Sequence, residues 1–157
     1  VCAFSLFQFE DMQKALLEMR RVLKPGGKMG LSNWGPGYFS PIAALQRDLF
    51  RGFGLKPLLR NPITFKQDDL RNLLDQTGFL DVELLSEREE VWVDNPAQLW
   101  AFNLDMGPFP VMLRRQLSPE QRAQLTTQFM DLIQNLVTDQ GIRCIFHPLY
   151  AIAEKNL

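Results

Sequence analysis

The chain has 157 residues, of which 46% are hydrophobic and 22% charged, and this composition is typical of a soluble globular domain. Its 17 Lys and Arg residues balance 18 Asp and Glu residues, so no overall positive field exists to hold DNA or RNA. The two cysteines, Cys2 and Cys144, lie far apart, which excludes a zinc motif and favours a reducing compartment. No apolar run reaches the ~18 residues of a membrane span. We therefore expect a cytoplasmic protein without an integral membrane segment, metal or nucleic-acid partner.

The first 34 residues have the pattern of a strand, a helix, a tight turn and a second strand. An apolar strand at 1–7 precedes a helix at 11–23, in which apolar residues recur at helical spacing. The Lys-Pro-Gly-Gly run at 24–27 ends this helix, because Pro cannot continue it and Gly allows the positive φ of a reversal. An apolar run at 28–34 is the second strand. This arrangement predicts a βαβ unit with two parallel strands.

The rest of the chain alternates helices and strands. We predict helices at 42–53, at 95–105 and at 118–137. A further helix is predicted to begin after Thr64, which forms a capping box with Gln67, and to be closed by Gly78. Strands are predicted at 82–93 and at 142–153, the second with a kink or bulge at Pro148. The apolar, Pro-rich segment 107–117 has the composition of an ordered lid or docking loop. We expect one domain, 1–157, with a helical insertion at about 95–139.

Two blocks of sequence carry a family resemblance. The first has S-L-F-Q-F-E-D at 5–11 and R-V-L-K-P-G-G at 21–27, directly before a hydrophobic strand. The second has D-D-L at 68–70, L-L at 73–74 and T-G-F-L-D-V at 77–82. In this order the blocks resemble the class I S-adenosylmethionine-dependent methyltransferases, especially the branch that modifies small molecules, lipids and quinones.

The resemblance implies an α/β fold with part of a Rossmann-like methyltransferase sheet. The strands would correspond to the family's fourth to seventh, the last of them antiparallel, with flanking helices and a helical insertion. The family's glycine-rich cofactor loop, the acidic residue that holds the ribose and the polar residue near adenine have no match in this sequence. The chain therefore looks like the C-terminal portion of an enzyme whose cofactor, in the intact protein, is S-adenosyl-L-methionine. Alone, it is expected to be weak or inactive.

The resemblance also implies a set of site residues at the end of the first strand. Ser5, Leu6 and Phe7 match positions against the methionine end and sulfonium of the cofactor, and apolar or aromatic groups suit a sulfonium. Gln8 and Phe9 follow at the mouth of the site and would contact the substrate. The alternative is that Leu6 and Phe7 are simply core residues.

Candidate acceptor-binding residues follow the second strand. Asn33, Trp34 and Tyr38 match the family's acceptor side, where the two rings would cover an apolar small molecule and exclude water. The alternative is that these rings close the core. His147, the only histidine, is a weak catalytic candidate, because it has no acidic partner in the sequence and a structural or surface role suits its place beside Pro148. No other catalytic residue is predicted.

The edge of the first strand, Val1 to Phe7, needs a cover, since natural proteins rarely leave an apolar strand edge bare. A missing N-terminal half, a second copy of this chain in a homodimer, or a rearranged local segment could supply it. The sequence therefore leaves a rival to the enzyme, namely a non-catalytic, degenerate methyltransferase-like interaction module. A further rival, an unrelated α+β binding protein, would make both resembling blocks coincidental.

Overall fold

A computed structural model describes residues 1–57, 61–105 and 109–156. The chain forms two compact units. The first, here called the sheet unit, comprises Val1–Tyr38, Leu59–Glu89 and His147–Leu157; the second, the helical unit, comprises Phe39–Leu58 and Glu90–Phe146. The segment predicted as a helical insertion lies in the helical unit, and the assignment of 1–157 to one domain stays a prediction.

The sheet unit is built on a four-stranded mixed sheet. Its strands are β1 (Cys2–Ala3), β2 (Lys28–Trp34), β3 (Phe79–Ser86) and β6 (Pro148–Lys155), in the order β1-β2-β6-β3. β1 is parallel to β2, whereas β6 is antiparallel to both β2 and β3. The predicted α/β class, the parallel pair of first strands and the antiparallel last strand are thus confirmed.

The first strand is much shorter than the predicted 1–7. After Ala3 the backbone turns at Phe4, whose φ is 46°, and Leu6–Gln8 form a 3-10 turn. Leu6 and Phe7 are both buried, at 0% and 8% exposure. Because neighbouring residues of a strand point to opposite faces of the sheet, an extended chain could not bury both of them. The turn places both side chains in the core.

Two helices cover one face of the sheet. In α1 (Met12–Val22) the backbone N–H of Lys14 donates to the Asp11 carboxylate at 2.9 Å, and this cap matches the predicted start. α3 (Gln67–Gln76) follows Lys66, which makes no side-chain cap. The predicted capping box at Thr64 and Gln67 is therefore wrong. Thr64 instead forms a bridge to Trp34 at the end of β2, so its backbone is committed to the sheet edge.

The core of the sheet unit lies between this sheet face and the two helices. Leu16 of α1 and Leu70 and Leu74 of α3 are fully buried against Met29 and Leu31 of β2. These side chains follow the helical and strand periodicities that the sequence displays. Apolar burial of this kind is the main stabilising contribution to the fold.

Two predicted strands are each divided. The strand expected at 82–93 is β3, which begins at Phe79, followed by β4 (Glu89–Val93); the strand expected at 142–153 is β5 (Ile142–Phe146) followed by β6. β4 and β5 pair with each other in a separate two-stranded sheet. The breaks fall at the charged pair 87–88 and at His147. A proline follows His147 and lacks the N–H that an unbroken ladder needs.

Within its described residues, the helical unit contains this two-stranded sheet and four helices. They are α2 (Ile42–Gly52), α4 (Pro96–Asp105), α5 (Phe109–Gln116) and α6 (Pro119–Gln134). α6 begins with a capping box of Ser118 and Gln121 and ends before the predicted 137. Among the helices of residues 1–57, 61–105 and 109–156, none is long and apolar enough to cross a membrane.

The segment 107–117 was predicted as a loop, and most of it is the helix α5. Met112 and Leu113 are buried, whereas Arg114 and Arg115 are exposed, so the segment is amphipathic at helical spacing. Pro110 lies in the first turn, where its missing N–H costs little. Positions 107 and 108 lie outside the described residues.

Truncating Leu70 tests the core of the sheet unit. We expect Leu70→Ala to lower the free energy of unfolding by about 2–5 kcal/mol, because it leaves a cavity under the sheet. Leu17→Ala, on the exposed side of α1 at 47% exposure, should change it by less than about 0.5 kcal/mol. Urea unfolding followed by circular dichroism measures both. A cost for Leu17→Ala as large as for Leu70→Ala would contradict the assigned core.

The Cys144 thiol is fully buried in the helical unit, and desolvation raises its pKa from 9.0 to about 11. The neutral thiol favours the folded state, so this contribution is complete below pH 9.0 and is lost as the pH rises through about 11. In a Cys2→Ser background we expect iodoacetamide to modify Cys144 slowly at pH about 8 in the folded chain. The same thiol should react rapidly after unfolding in urea. Equal rates would show that the thiol is accessible in the folded state.

Candidate functional site

Four strand ends meet at one edge of the sheet. Because β6 is antiparallel to its neighbours, its first residues pair with the last residues of β2 and β3: Trp34 lies opposite Pro148, and Ser86 opposite Leu149. β1 runs parallel to β2, so Phe4 leaves the sheet at the same edge. Ligands of open α/β sheets bind beyond the carboxyl ends of the strands. This edge is therefore the candidate site.

Three aromatic rings stack at this edge. The rings of Phe4 and Trp34 have centroids 4.1 Å apart and planes 25° apart, and those of Trp34 and Tyr38 are 4.2 Å and 20° apart. All three residues are half-buried. We call Phe4, Trp34 and Tyr38 the ring stack. Each stacked pair contributes roughly 0.5–1.5 kcal/mol beyond the free energy of burying its apolar area. The stack is therefore a firm apolar surface at this edge of the sheet.

Backbone hydrogen bonds hold the two ends of the ring stack. The Phe4 N–H donates to the Ser32 carbonyl at 2.8 Å, and the Tyr38 N–H donates to the Gly35 carbonyl at 3.3 Å. Burial raises the pKa of the Tyr38 phenol above its usual 10.0. At neutral pH this ring therefore presents an uncharged hydroxyl.

The imidazole of His147 lies beside the loop that follows β2. Its Nε2 is 2.7 Å from the Ser86 hydroxyl, and its Nδ1 is 2.5 Å from the Pro36 carbonyl oxygen. The Gly35 N–H donates to the His147 carbonyl at 2.6 Å. His147, the predicted catalytic candidate, thus has a serine as its side-chain partner. The sequence showed no acidic partner for this histidine, and that absence made it a weak candidate.

The predicted cofactor residues divide between the core and the turn. Leu6 and Phe7 belong to the hydrophobic core of the sheet unit, and a hydrogen bond of 3.2 Å joins the Ser5 hydroxyl to the Cys2 sulfur. Gln8 is exposed, and Phe9 is 42% exposed, with its carbonyl accepting a hydrogen bond from the Asn61 side chain at 2.6 Å. Their roles toward cofactor and substrate stay predictions.

Asn33 is the unusual polar residue of the site. It is 0% exposed, and neither its side-chain oxygen nor its side-chain nitrogen has a hydrogen-bond partner among the described residues. It pairs with Leu149 across the sheet and faces the side of the sheet that α1 and α3 cover, opposite to the side of Trp34. A buried amide without partners is costly, and such groups in native proteins often mark a functional position.

Sequence reasoning missed Phe4 and Ser86. Phe4 lies one residue before the resembling block at 5–11, and the expected strand hid the turn that brings its ring onto Trp34. Ser86 is followed by a run of charged residues and shows no local pattern. Only the pairing of β3 with β6 brings its hydroxyl to His147.

A cavity of about 630 Å³ lies at the opposite edge of the sheet. Its lining includes Lys28 at the start of β2, Leu80 near the start of β3 and Glu154 near the end of β6. Neither the ring stack nor His147 lines it. This cavity is therefore separate from the candidate site.

The residues at the carboxyl edge fit one end of an S-adenosylmethionine site. The face of an aromatic ring attracts a cation such as a sulfonium. Unlike water, apolar and aromatic groups do not solvate the sulfonium. The ring stack can provide such ring faces. The 157-residue sequence offers no glycine-rich loop between a first strand and a helix and no acidic residue that matches the family's ribose ligand. The chemistry of this edge is therefore compatible with the sulfonium end of the cofactor, and a cofactor-binding role for its residues stays a prediction.

Replacing Asn33 tests whether its amide is truly without partners. We expect Asn33→Leu, which keeps the branched shape, to raise the free energy of unfolding by about 1–3 kcal/mol, because it removes unpaired buried polar atoms. As a control, Asn95→Leu removes an oxygen that accepts the Gln98 N–H at 2.9 Å and should cost about 1 kcal/mol. Urea unfolding measures both changes. A destabilised Asn33→Leu variant would mean that the amide has a partner in solution.

Comparison with known proteins agrees with the fold and the sequence blocks. A family model described as a methyltransferase domain matches residues 1–31. A curated relative, the ubiquinone/menaquinone biosynthesis C-methyltransferase UbiE of Haemophilus ducreyi, is 30% identical over 98 residues, which cover 52% of this chain and 37% of the relative. The chain therefore matches a little over a third of that enzyme's length.

The fold has a counterpart among solved structures. A protein of Bacillus halodurans C-125 that is classed as a methyltransferase has a TM-score of 0.54 and 16% identity, over 99% of this chain and 68% of that one. At this identity the likeness concerns the fold. The family model and the curated relative supply the sequence evidence. The chain therefore resembles methyltransferases in sequence over residues 1–31 and over the 98 residues shared with UbiE, and it shares the fold of a methyltransferase of known structure.

Proposed function

We propose that the protein containing this chain transfers a methyl group from S-adenosyl-L-methionine to a small, apolar acceptor, and that this chain forms the acceptor-side wall of the site. The ring stack at the carboxyl edge of the sheet is the observation that carries this proposal. It presents apolar surface where a methyltransferase sheet binds its ligands. The chain matches 37% of its curated relative, so the proposal assigns the rest of the cofactor site to other parts of the protein.

A flat, apolar acceptor suits this edge best. The name of the curated relative places it in ubiquinone and menaquinone biosynthesis, whose quinone rings are flat. Aromatic side chains stack on flat rings at small cost in conformational entropy. Two rings of the stack lie at the end of β2, where Trp34 is the last residue and Tyr38 follows in the next loop. The neutral Tyr38 phenol can donate a hydrogen bond to an oxygen on such an acceptor.

Each predicted residue has a role in this proposal. Ser5, Leu6 and Phe7 support the methionine end of the cofactor, Leu6 and Phe7 through the packing that fixes the turn. Gln8 and Phe9, exposed after the turn, lie at the entrance. When bound, S-adenosylmethionine supplies an electrophilic methyl group. The residues of the chain align the acceptor with it and exclude water.

Asn33 has a separate role in this proposal. Its unpaired amide is retained because it can hydrogen-bond a polar atom of a ligand when the turn at 4–9 opens. The same burial that makes the amide costly in the free chain would strengthen such a hydrogen bond in the complex.

A second candidate function rests on exposed apolar surface of the sheet unit. β1 is a terminal strand of only two residues, and the sheet face opposite the helices exposes Leu85 and Ile152, at 56% and 48%. Edges and patches of this kind pair with other polypeptides. In this alternative the chain is a non-catalytic module, and an N-terminal methyltransferase half or a second copy covers β1.

Calorimetric titration with S-adenosylhomocysteine tests the proposed division of the site. The isolated 157-residue chain should show no micromolar binding, because its sequence lacks the cofactor loop. The complete gene product should bind at micromolar concentration or tighter. Failure of the complete protein to bind would refute the methyltransferase proposal, and micromolar binding by the isolated chain would refute the assignment of the cofactor loop to another segment.

Transfer of a radiolabelled methyl group tests the acceptor wall in the complete protein. Trp34→Ala should raise the KM for a flat apolar acceptor about tenfold, because it removes the ring that stacks on both Phe4 and Tyr38 and so disrupts the whole ring stack. Trp92→Ala, on the exposed strand β4 at 40% exposure, should leave it unchanged. Equal effects of both substitutions would contradict a role for the ring stack in acceptor binding.

Light scattering distinguishes the alternative module. If two copies of the chain pair through β1, light scattering should give the molar mass of a dimer at micromolar concentration. If the chain is monomeric and also does not bind an N-terminal methyltransferase half, pairing is excluded as its function.

A further inference from the structure

The hydrogen bonds of His147 fix its protonation pattern. A carbonyl oxygen can only accept a hydrogen bond, so Nδ1, which lies 2.5 Å from the Pro36 carbonyl, must carry a proton. In the neutral ring Nε2 then has a lone pair, and the Ser86 hydroxyl at 2.7 Å donates to it. Both ring nitrogens are therefore occupied by protein partners.

Gly35 packs directly against the same ring. A Cβ atom at this position would lie 2.9 Å from Cγ of His147 and 3.0 Å from both Cδ2 and Cε1. Three ring atoms at nearly equal distance mean that the imidazole lies with its face toward the Gly35 backbone. Gly35 also donates its N–H to the His147 carbonyl at 2.6 Å. The loop after β2 thus folds around the imidazole, in a space that only glycine leaves open.

These contacts lie between two members of the ring stack. Gly35 and Pro36 connect Trp34 to Tyr38 in the chain, and Pro36 has no N–H with which to join a backbone ladder. The side chain of His147 therefore links this connection to Ser86 at the end of β3. Gly37 follows with a φ of 80°, which glycine adopts without the steric cost that a side chain would bring.

We propose that His147 is a positioning residue, which through its Nδ1–H holds the 35–37 loop and thereby sets the stacking of Tyr38 on Trp34. The hydrogen bond with Ser86 fixes the orientation of the His147 imidazole. Direct proton exchange between Nε2 and a substrate would first require the Ser86 hydroxyl to leave that nitrogen. The positioning of the rings is independent of the proposed function, whereas its effect on acceptor binding rests on that function.

Nitrogen NMR tests the protonation pattern directly. His147 is the only histidine, so a ¹⁵N-labelled chain gives a single imidazole pair in a spectrum that correlates ring nitrogens with ring carbon-bound protons. We expect the neutral ring to carry its proton on Nδ1 and not on Nε2, the reverse of the tautomer that predominates for free neutral histidine in water. A protonated Nε2 with a bare Nδ1 would overturn the proposal, whatever the activity of the protein.

Two substitutions separate the two ring nitrogens. The amide nitrogen of Asn superimposes on Nδ1, so His147→Asn should keep the hydrogen bond to Pro36 and lose that to Ser86. The end of the Gln side chain reaches the position of Nε2, so His147→Gln should keep the contact with Ser86 and lose that with Pro36. His147→Phe keeps the ring shape and loses both.

The readout is the ring stack itself. Near-ultraviolet circular dichroism and the indole N–H signal of Trp34, assigned with Trp34→Phe, report on stacking, while far-ultraviolet circular dichroism reports on folding. We expect His147→Asn to retain most of the stacking signal and both His147→Gln and His147→Phe to lose it in folded protein. A folded His147→Phe variant with the stacking signal intact would overturn the proposal. If that variant does not fold, Ser86→Ala should leave the fold unchanged and weaken the signal, and an unchanged signal would count against it.

In the complete protein the same substitutions separate positioning from proton transfer. A positioning role predicts a higher KM for the acceptor with kcat nearly unchanged, and partial rescue by His147→Asn. A loss confined to kcat, with no rescue, would overturn the assignment in favour of proton transfer. Absence of all methyl transfer in the unsubstituted protein would refute the proposed function, and the NMR result on the tautomer would still stand.

Discussion

The position of β6 between β2 and β3 is the constraint on which the rest of the sheet unit depends. β6 pairs with β2 over seven residue positions, from Lys28 opposite Glu154 to Trp34 opposite Pro148, and with β3 on its other side. Because it runs against both, its first residues meet their last ones. The ends of β2 and β3, which are far apart in sequence, thus come to one edge, and His147 enters that edge immediately before β6 begins.

This edge combines a firm apolar surface with strained or unpaired groups. Phe4 adopts a positive φ, which is uncommon for a residue with a side chain, and Asn33 is buried without partners among the described residues. Local costs of this kind persist only where the surrounding structure holds them in place. Here the packing of Leu6 and Phe7 against α1 and α3 supplies that support, so core and site are built from adjacent residues of one short turn.

The pattern of the sequence predicts much of the sheet unit because local and tertiary preferences agree there. The stripe at 11–23 and the run at 28–34 give α1 and β2 within a residue of their observed bounds. The family blocks then indicate the order of the strands. The prediction of a single strand is wrong where one run of residues forms two strands that belong to different sheets. The run 142–153 carries one local signal, the predicted kink at Pro148, and its pairing with different partners completes the division into β5 and β6.

The sequence by itself determined the α/β class and most of the helices and strands, because helical and strand periodicities and turn residues act over short distances. Two short blocks of sequence carried the resemblance to methyltransferases. The tertiary structure decided that the first strand is two residues long, that Phe4 joins Trp34 and Tyr38 in a stack, and that Ser86 and Pro36 hold the imidazole of His147. Each of these depends on residues separated by tens of positions, which no local pattern connects. Their meeting follows from strand register, and strand register is fixed only when the whole core is packed.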